Sequence, residues 1–181
     1  MKHLTLILGG ASSGKGKYAL ARGNRYCSSD KQNTKKYYLA TAQALDDNML
    51  SRIEARKKER ASDWITLEES IKVPDAFSFL NKRADVVVID CVSLWLSHLL
   101  MIRGDYDIQA ESETLIAAIQ KVDFSVVVVS SEVGCSIVPA DPVSRLFTET
   151  LGRMHQSLAL LADEVYFMTA GIPIQVKGGK S

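Results

Sequence analysis

The sequence predicts an α/β domain with a mainly parallel central sheet, because short apolar segments of strand length alternate with longer segments of helical periodicity. Parallel strands need crossover helices of this kind. The first apolar segment also runs directly into a glycine-rich loop, which is typical of strand-to-helix turns that hold phosphate. The length of 181 residues indicates one domain, 1–181, since roughly 100 to 200 residues is the usual domain scale.

The individual elements follow from apolar spacing. Residues 4–8 are apolar and are bounded by Gly9 and Gly10, as a buried parallel strand should be, and Lys15 opens a helical stretch. Further strands are expected at 37–40, 86–89 and 126–129, and further helices at 46–60, 91–102, 108–122 and 142–161. We expect 165–169 and 173–176 to form a terminal hairpin or edge pair, and 104–107 to form a loop.

The loop after the first strand is almost a phosphate-binding loop. Its glycines let backbone N–H groups turn towards an anion, Lys15 adds a mobile positive charge, and a helix N-terminus follows. The alternative is a plain glycine-rich turn, which the strand before it and the helix after it make less favourable. The expected phosphate contacts are Gly9, Gly10, Ala11, Ser12, Ser13, Gly14, Lys15 and Gly16.

Gly16 departs from the usual loop pattern. That pattern ends in Ser or Thr, whose hydroxyl binds Mg²⁺. Glycine removes this direct ligand, so we expect Mg²⁺ to bind through water, a carboxylate and the nucleotide, with lower affinity.

Asp90 is the candidate carboxylate. It follows four aliphatic residues, as does the acidic strand end that accompanies many phosphate loops and organises Mg²⁺, usually through water. An aspartate at this place can instead cap the next helix. The presence of the phosphate loop favours the metal-organising role.

Composition gives no support for several classes of function. The formal net charge of +1 gives no argument for binding nucleic acid or membrane surfaces. Cys27, Cys91 and Cys135 are widely separated, which favours reduced thiols that serve in packing over a disulfide frame or a zinc site. Because no segment has the length of a secretory or membrane-spanning run, we expect a cytoplasmic protein.

A basic stripe occupies the expected helix at 46–60. Arg52, Arg56 and Arg60 recur at i, i+4 spacing and therefore share one helix face. The simpler interpretation is a solvated face balanced by Glu54 and Glu59. The other is a clamp for a second phosphate.

Further motifs extend along nearly the whole chain. They are GGASSGK at 9–15, LATA at 39–42, LDDNM at 45–49, RI at 52–53, VIDCVSLWLS at 88–97, SEVG at 131–134 with IVP at 137–139, LGRMHQ at 151–156 and ADEV at 162–165. Together they resemble the bifunctional adenosylcobinamide kinase/adenosylcobinamide-phosphate guanylyltransferase family. The SEVG and IVP block is far more specific than the phosphate loop, which many unrelated ATPases share.

The resemblance implies a RecA-like P-loop NTPase fold and two reactions on one corrinoid. The aminopropanol hydroxyl of adenosylcobinamide is phosphorylated with ATP or GTP, with Mg²⁺, and GMP from GTP is then transferred to adenosylcobinamide phosphate. In this family the GMP passes through a guanylylated histidine, since an unprotonated imidazole is a competent nucleophile. The resemblance also implies a homo-oligomer, a trimer or hexamer, with sites near subunit contacts.

The candidate catalytic residues are Lys15 and Asp90, with Arg56 at or next to the family's histidine position. Besides the phosphate loop, the nucleotide contacts implied by the resemblance are Ala40, Thr41, Ala42, Arg56, Lys57, Lys58, Glu59, Arg60 and Glu68.

The chain lacks that histidine. Ala55 has no nucleophile and the guanidinium of Arg56 stays protonated, so neither forms the guanylyl intermediate. His3, His98 and His155 lie in other segments and are more simply interpreted as structural or exposed. Together with Gly16, this leaves two alternatives open: a catalytically impaired nucleotide-binding or regulatory homologue, and a P-loop kinase of another small alcohol.

Overall fold

The computed structural model describes residues 2–27, 34–43, 51, 57, 61–103 and 108–179. Over these residues the elements are β1 (Leu4–Gly9), α1 (Lys15–Arg25), β2 (Lys36–Ala40), β3 (Trp64–Glu68), α2 (Val73–Leu80), β4 (Val86–Asp90), α3 (Val92–Arg103), α4 (Ile108–Lys121), β5 (Ser125–Val129), α5 (Pro142–Leu161), β6 (Glu164–Thr169) and β7 (Ile172–Lys177).

The strands form one seven-stranded sheet in the order β3-β2-β4-β5-β1-β6-β7. Every neighbouring pair is parallel except β6 with β7. The predicted α/β class with a mainly parallel sheet is therefore confirmed. One strand, β5, separates the phosphate-loop strand β1 from β4, which ends in Asp90, and this is the RecA-like arrangement.

Helices cover both faces of the sheet. All five residues of β4 and all five of β5 are buried, as expected for parallel strands with helices on each side. One apolar cluster packs α2, α3, α4 and α5 against one face, and a second packs α1 against the other. The carboxyl ends of β1, β4 and β5 consequently meet at one edge between these layers.

The structure contains two elements that the sequence patterns did not predict, β3 and α2. β3 is an edge strand in which only Trp64 is fully buried, so it lacks the continuous apolar run that marked the other strands. The expected helix at 46–60 lies outside the described residues, apart from Ser51 and Lys57, which are both helical. The expected loop at 104–107 also lies outside them.

The terminal hairpin is present. Thr169 pairs with Ile172, so the turn is the dipeptide Ala170-Gly171, one residue shorter than expected. Their φ values of 50° and 82° are those of a turn that matches the twist of the paired strands.

Two expectations from composition can be compared with the structure. Over the described ranges, no helix is both long and apolar enough to cross a membrane. Cys27 is half-buried and Cys91 is buried, but Cys135 is exposed, so a packing role is wrong for Cys135. Cys135 is exposed because it lies in the irregular surface segment formed by residues 131–140 after β5.

Candidate functional site

The backbone of the phosphate loop requires glycine at two places. Gly9, at the end of β1, has φ of 149°, and a Cβ there would lie 2.5 Å from the carbonyl oxygen of Met168. Gly14, at the N-cap of α1, has φ of 92°, in the left-handed region that favours glycine. The loop therefore passes closely over β6 and turns into α1 at Lys15.

Lys15 is held within this loop. Its side chain is buried, and its Nζ donates hydrogen bonds to the carbonyl oxygens of Gly9 at 2.7 Å and Gly10 at 2.6 Å. The ammonium thus lies against the loop that is expected to receive an anion. It supplies a positive charge that a phosphate oxygen can bind with a charge-assisted hydrogen bond.

The first turn of α1 adds to this positive field. Gly14 offers no side-chain cap, and the first turn carries no acidic residue. Its N–H groups point along the helix axis towards the loop, with the partial positive charge of the helix N-terminus. This is the geometry of an anion site at a helix N-terminus.

Asp90 lies beside that turn. The residue is 6% exposed, its Oδ2 accepts a hydrogen bond from the hydroxyl of Tyr38, and a Cβ on Gly16 would lie 3.1 Å from the same oxygen. The structure therefore brings Asp90, Gly16 and Lys15 to one place.

This place fits Mg²⁺ on the chemistry of its donors. Asp90 offers the hard oxygen ligand that Mg²⁺ prefers, and Mg²⁺ usually takes one or two carboxylates together with water and phosphate oxygens. The part of the chain that the structure describes contains no group of three or more His, Cys, Asp or Glu side chains that could hold a metal ion.

Thr41 joins the ends of β2 and β4. Its Oγ1 accepts from the N–H of Cys91 and donates to the carbonyl of Cys91, both at 2.8 Å, and its own N–H donates to the carbonyl of Asp90 at 3.2 Å. The Thr41 hydroxyl is thus engaged with backbone.

Three of the predicted residues share one row of the sheet. Ala40 on β2 pairs with Glu68 on β3 and with Asp90 on β4. Glu68 is exposed, and one of its carboxylate oxygens, Oε1, contacts Nζ of Lys57. The other residues predicted in the basic segment, Arg56, Lys58, Glu59 and Arg60, lie outside the described residues.

A second polar cluster lies at the same edge, after β5. The N–H of Glu132 donates to the carbonyl of Gly9 at 3.0 Å, and its carboxylate accepts from the N–H of Gly134 at 2.7 Å. Its Oε2 lies 3.5 Å from Nδ1 of His155, whose Nε2 is 2.7 Å from Oγ of Ser130. This chain of contacts ties α5 to the end of β5 and to the phosphate loop.

Burial favours the neutral form of both buried histidines. Burial lowers the pKa of His155, and the carboxylate of Glu132 opposes this in part. Burial also lowers the pKa of His98, opposed by a hydrogen bond with the backbone of Thr41. His3 is exposed and stacks on Tyr26. These placements agree with the structural interpretation of all three.

Sequence reasoning missed Tyr38 and Glu132 as members of the site. Tyr38 had no visible signal, because it lies within an apolar strand run. Glu132 had one: it follows an aliphatic strand closely, as Asp90 does, but Ser130 and Ser131 intervene.

Comparison with known proteins gives consistent matches over most of the chain. The model of the family described as cobinamide kinase / cobinamide phosphate guanyltransferase matches residues 5–176. The bifunctional adenosylcobalamin biosynthesis protein CobP of Pseudomonas aeruginosa is 33% identical, over 96% of each chain. The bifunctional adenosylcobalamin biosynthesis proteins CobU of Escherichia coli and Salmonella typhimurium are 34% and 33% identical, over 96% of this chain and 99% of theirs.

Solved structures include a KaiC-like protein from Pyrococcus horikoshii. It matches 91% of this chain and 70% of its own, at 13% identity and a TM-score of 0.49.

Proposed function

The chain belongs to the cobinamide kinase / cobinamide phosphate guanyltransferase family, and we propose that it phosphorylates the aminopropanol hydroxyl of adenosylcobinamide with ATP or GTP. The observation that carries the proposal is the position of the Lys15 ammonium on the carbonyls of Gly9 and Gly10, at the same sheet edge as Asp90. The printed names of the relatives, bifunctional proteins of adenosylcobalamin biosynthesis, support the pathway.

The chemistry of this step needs positioning and charge stabilisation. The corrinoid alcohol oxygen attacks the γ-phosphorus, the bond to the bridging oxygen breaks, and the nucleoside diphosphate leaves with that electron pair. Loop N–H groups and the N-terminus of α1 bind the phosphates, while Lys15 exchanges the carbonyls of Gly9 and Gly10 for phosphate oxygens. These fixed charges stabilise the negative charge of the transferring group.

Asp90 is proposed to hold Mg²⁺ through water. When bound, the ion neutralises phosphate charge and stabilises the leaving group. Gly16 leaves the loop without its hydroxyl ligand, so the carboxylate carries a larger share of the protein's contribution.

We propose that GMP transfer on this chain proceeds by direct attack. An oxygen of adenosylcobinamide phosphate attacks the α-phosphorus of GTP, and pyrophosphate leaves, with no covalent enzyme intermediate. Lys15 and the stripe of Arg52, Arg56 and Arg60 position the two anions. The remaining nucleotide contacts proposed are Ala40, Thr41, Ala42, Lys57, Lys58, Glu59 and Glu68.

One incubation tests both steps. The protein is mixed with adenosylcobinamide, ATP, GTP and Mg²⁺, and the corrinoids and the intact protein are analysed by mass spectrometry, with Lys15→Ala as the matched variant. We expect phosphorylated and GDP-linked corrinoid from the wild type, little of either from Lys15→Ala, and no GMP-sized addition to the protein.

Other outcomes select other functions. A GMP adduct mapped to His98 or His155 overturns direct attack, because a relocated histidine would then perform the transfer. Nucleotide binding with no corrinoid product favours a non-catalytic nucleotide-binding homologue, a reading supported by Gly16 and by Ala55-Arg56. Phosphorylation of other small alcohols, but not of adenosylcobinamide, identifies a kinase of different specificity.

The setting of the reaction is also part of the proposal. We propose that residues 1–181 act as one nucleotide-binding domain in the cytoplasm, assembled as a trimer or hexamer as the family resemblance implies. Light scattering coupled to size-exclusion chromatography measures the oligomer, and a monomer at micromolar concentration contradicts it.

A further inference from the structure

The contact between Gly16 and Asp90 defines where a loop hydroxyl is lacking. A Cβ built on Gly16 would lie 3.1 Å from Oδ2 of Asp90. In the usual loop a Ser or Thr hydroxyl emerges from that carbon. A side chain at residue 16 would therefore begin in contact with this carboxylate.

A different hydroxyl contacts the same carboxylate oxygen. Tyr38 is 4% exposed, and its phenol donates a hydrogen bond to Oδ2 of Asp90. Tyr38 lies two residues before Ala40 on β2, and Ala40 pairs with Asp90 in the parallel register. Residues two apart on a strand share a face, so the tyrosine ring and the carboxylate lie on the same side of the sheet. That side is covered by α1, which carries Gly16.

We infer that Tyr38 is the positioning residue for Asp90. From the neighbouring strand it donates a hydroxyl hydrogen bond to Oδ2 of Asp90, the oxygen next to which Gly16 provides no side chain. The inference rests on the proposed function, because it concerns the carboxylate that organises Mg²⁺. Fixing one carboxylate oxygen fixes the plane of the carboxyl group and hence the direction of its other oxygen. A hydrogen bond to a buried carboxylate is charge-assisted and correspondingly strong.

A purely structural role for Tyr38 makes a different prediction. If the phenol only satisfies a buried oxygen, its removal lowers stability and leaves the effect of metal on nucleotide binding unchanged. If the phenol orients the carboxylate for Mg²⁺, its removal lowers the gain in affinity that Mg²⁺ provides. Binding measured with and without metal separates the two, and needs no turnover.

The first variant is Tyr38→Phe, which keeps the ring and removes only the hydroxyl. Affinities for ATP and GTP are measured by titration calorimetry in EDTA and in excess Mg²⁺. We expect affinity in EDTA to stay within about twofold of the wild type, and the gain on adding Mg²⁺ to fall about tenfold, the scale of one hydrogen bond to a charged group. Tyr37→Phe, on the opposite face of β2, is the matched control and should keep the full gain.

The second variant is Gly16→Ser, alone and combined with Tyr38→Phe. Alone it places a Cβ 3.1 Å from an oxygen that Tyr38 holds in position, so the Mg²⁺ gain should change less than threefold. In the Tyr38→Phe background the carboxylate can rotate to meet the new hydroxyl, and the gain should return to near the wild-type value. Such rescue is a coupling between neighbours that independent sites do not show.

Four results overturn the inference. One is an unchanged Mg²⁺ gain in Tyr38→Phe, and another is Gly16→Ser lowering the gain by the same factor in both backgrounds. In either case a wild type with a clear Mg²⁺ gain leaves the proposed function standing. A wild type that binds nucleotide with no Mg²⁺ gain overturns the metal role of Asp90 together with the inference. Should Tyr38→Phe be poorly folded, a large increase in the gain from Gly16→Ser alone also contradicts it.

Discussion

Two carboxylates lie near the carboxyl ends of neighbouring parallel strands of the same sheet, yet their surroundings differ. Asp90 pairs in register with Val129 on β5, and Glu132 follows three residues later. Asp90 meets a phenol and a glycine, whereas Glu132 meets an imidazole and a backbone N–H. The two clusters thus lie on adjacent strands, and only the Glu132 cluster, among the contacts described here, includes a histidine.

The Glu132 cluster is the one that contains an imidazole. An imidazole titrates in the physiological range, and the contacts of His155 to Glu132 and Ser130 change when it gains a proton. Because these contacts connect α5 to the end of β5, we expect acidification to weaken the packing of α5 there.

The largest expected effect is that of Asp90→Asn. Turnover of adenosylcobinamide should fall on the order of 10²–10³-fold, since misplacing the metal forfeits several kcal/mol of charge stabilisation. Nucleotide affinity in EDTA should change little. Steady-state rates with ATP at saturating Mg²⁺ measure the loss of turnover. A fall of less than tenfold would show that Asp90 has only a structural role.

Lys15→Ala comes next. Loss of the ammonium should weaken ATP and GTP binding by about 10–100-fold, the scale of charge-assisted hydrogen bonds. Lys17→Ala, an exposed position on the same helix, is the control and should bind normally. Equal affinities for both variants would show that this loop does not bind the phosphates.

Glu132→Gln should affect turnover by no more than about tenfold, because the amide oxygen can still accept from the N–H of Gly134. Its clearer effect is on acid stability. The Glu132 carboxylate opposes the lowering of the His155 pKa, so removing its charge lowers that pKa further. Thermal unfolding between pH 7.5 and 5 should show a steeper acid loss than in the wild type.

His155→Gln should act in the opposite direction on the same slope. A folded-state pKa below 6.5 contributes stability that is present above pH 6.5 and is lost as pH falls through the folded value. The variant should be about 1–3 kcal/mol less stable at pH 7.5, from a broken buried contact, and should lose less on acidification. A slope in His155→Gln equal to that of the wild type would show that this cluster is not the pH-sensitive element.

Local sequence patterns were sufficient for most of the fold. β4 and β5 are continuous aliphatic runs, and α5 has long helical spacing, so each could be located from neighbouring residues alone. β3 and α2 could not. β3 is stabilised by pairing with β2 and by burial of Trp64, and α2 is only eight residues long, so tertiary packing rather than periodicity defines both.

The site residues also divide into those that local patterns reveal and those that depend on tertiary packing. Lys15 and Asp90 could be found because the loop and the acidic strand end are short patterns. The contact of Tyr38 with Asp90 depends on the register of two strands that are 50 residues apart at their paired ends. The contact of His155 with Glu132 depends on how α5 crosses the end of β5. Register and helix placement are set by the whole core, so no local pattern specifies them.

The central position of β1 has a consequence for synthesis of the chain. β1 pairs only with strands made much later: Leu4 with Val126 on β5, and Thr5 with Glu164 on β6. The phosphate loop is therefore among the first residues to leave the ribosome and among the last to acquire its neighbours, because the closing contacts span most of the chain. A nascent chain that ends before β6 lacks the wall against which Gly9 packs, and we expect it to bind no nucleotide until synthesis is nearly finished.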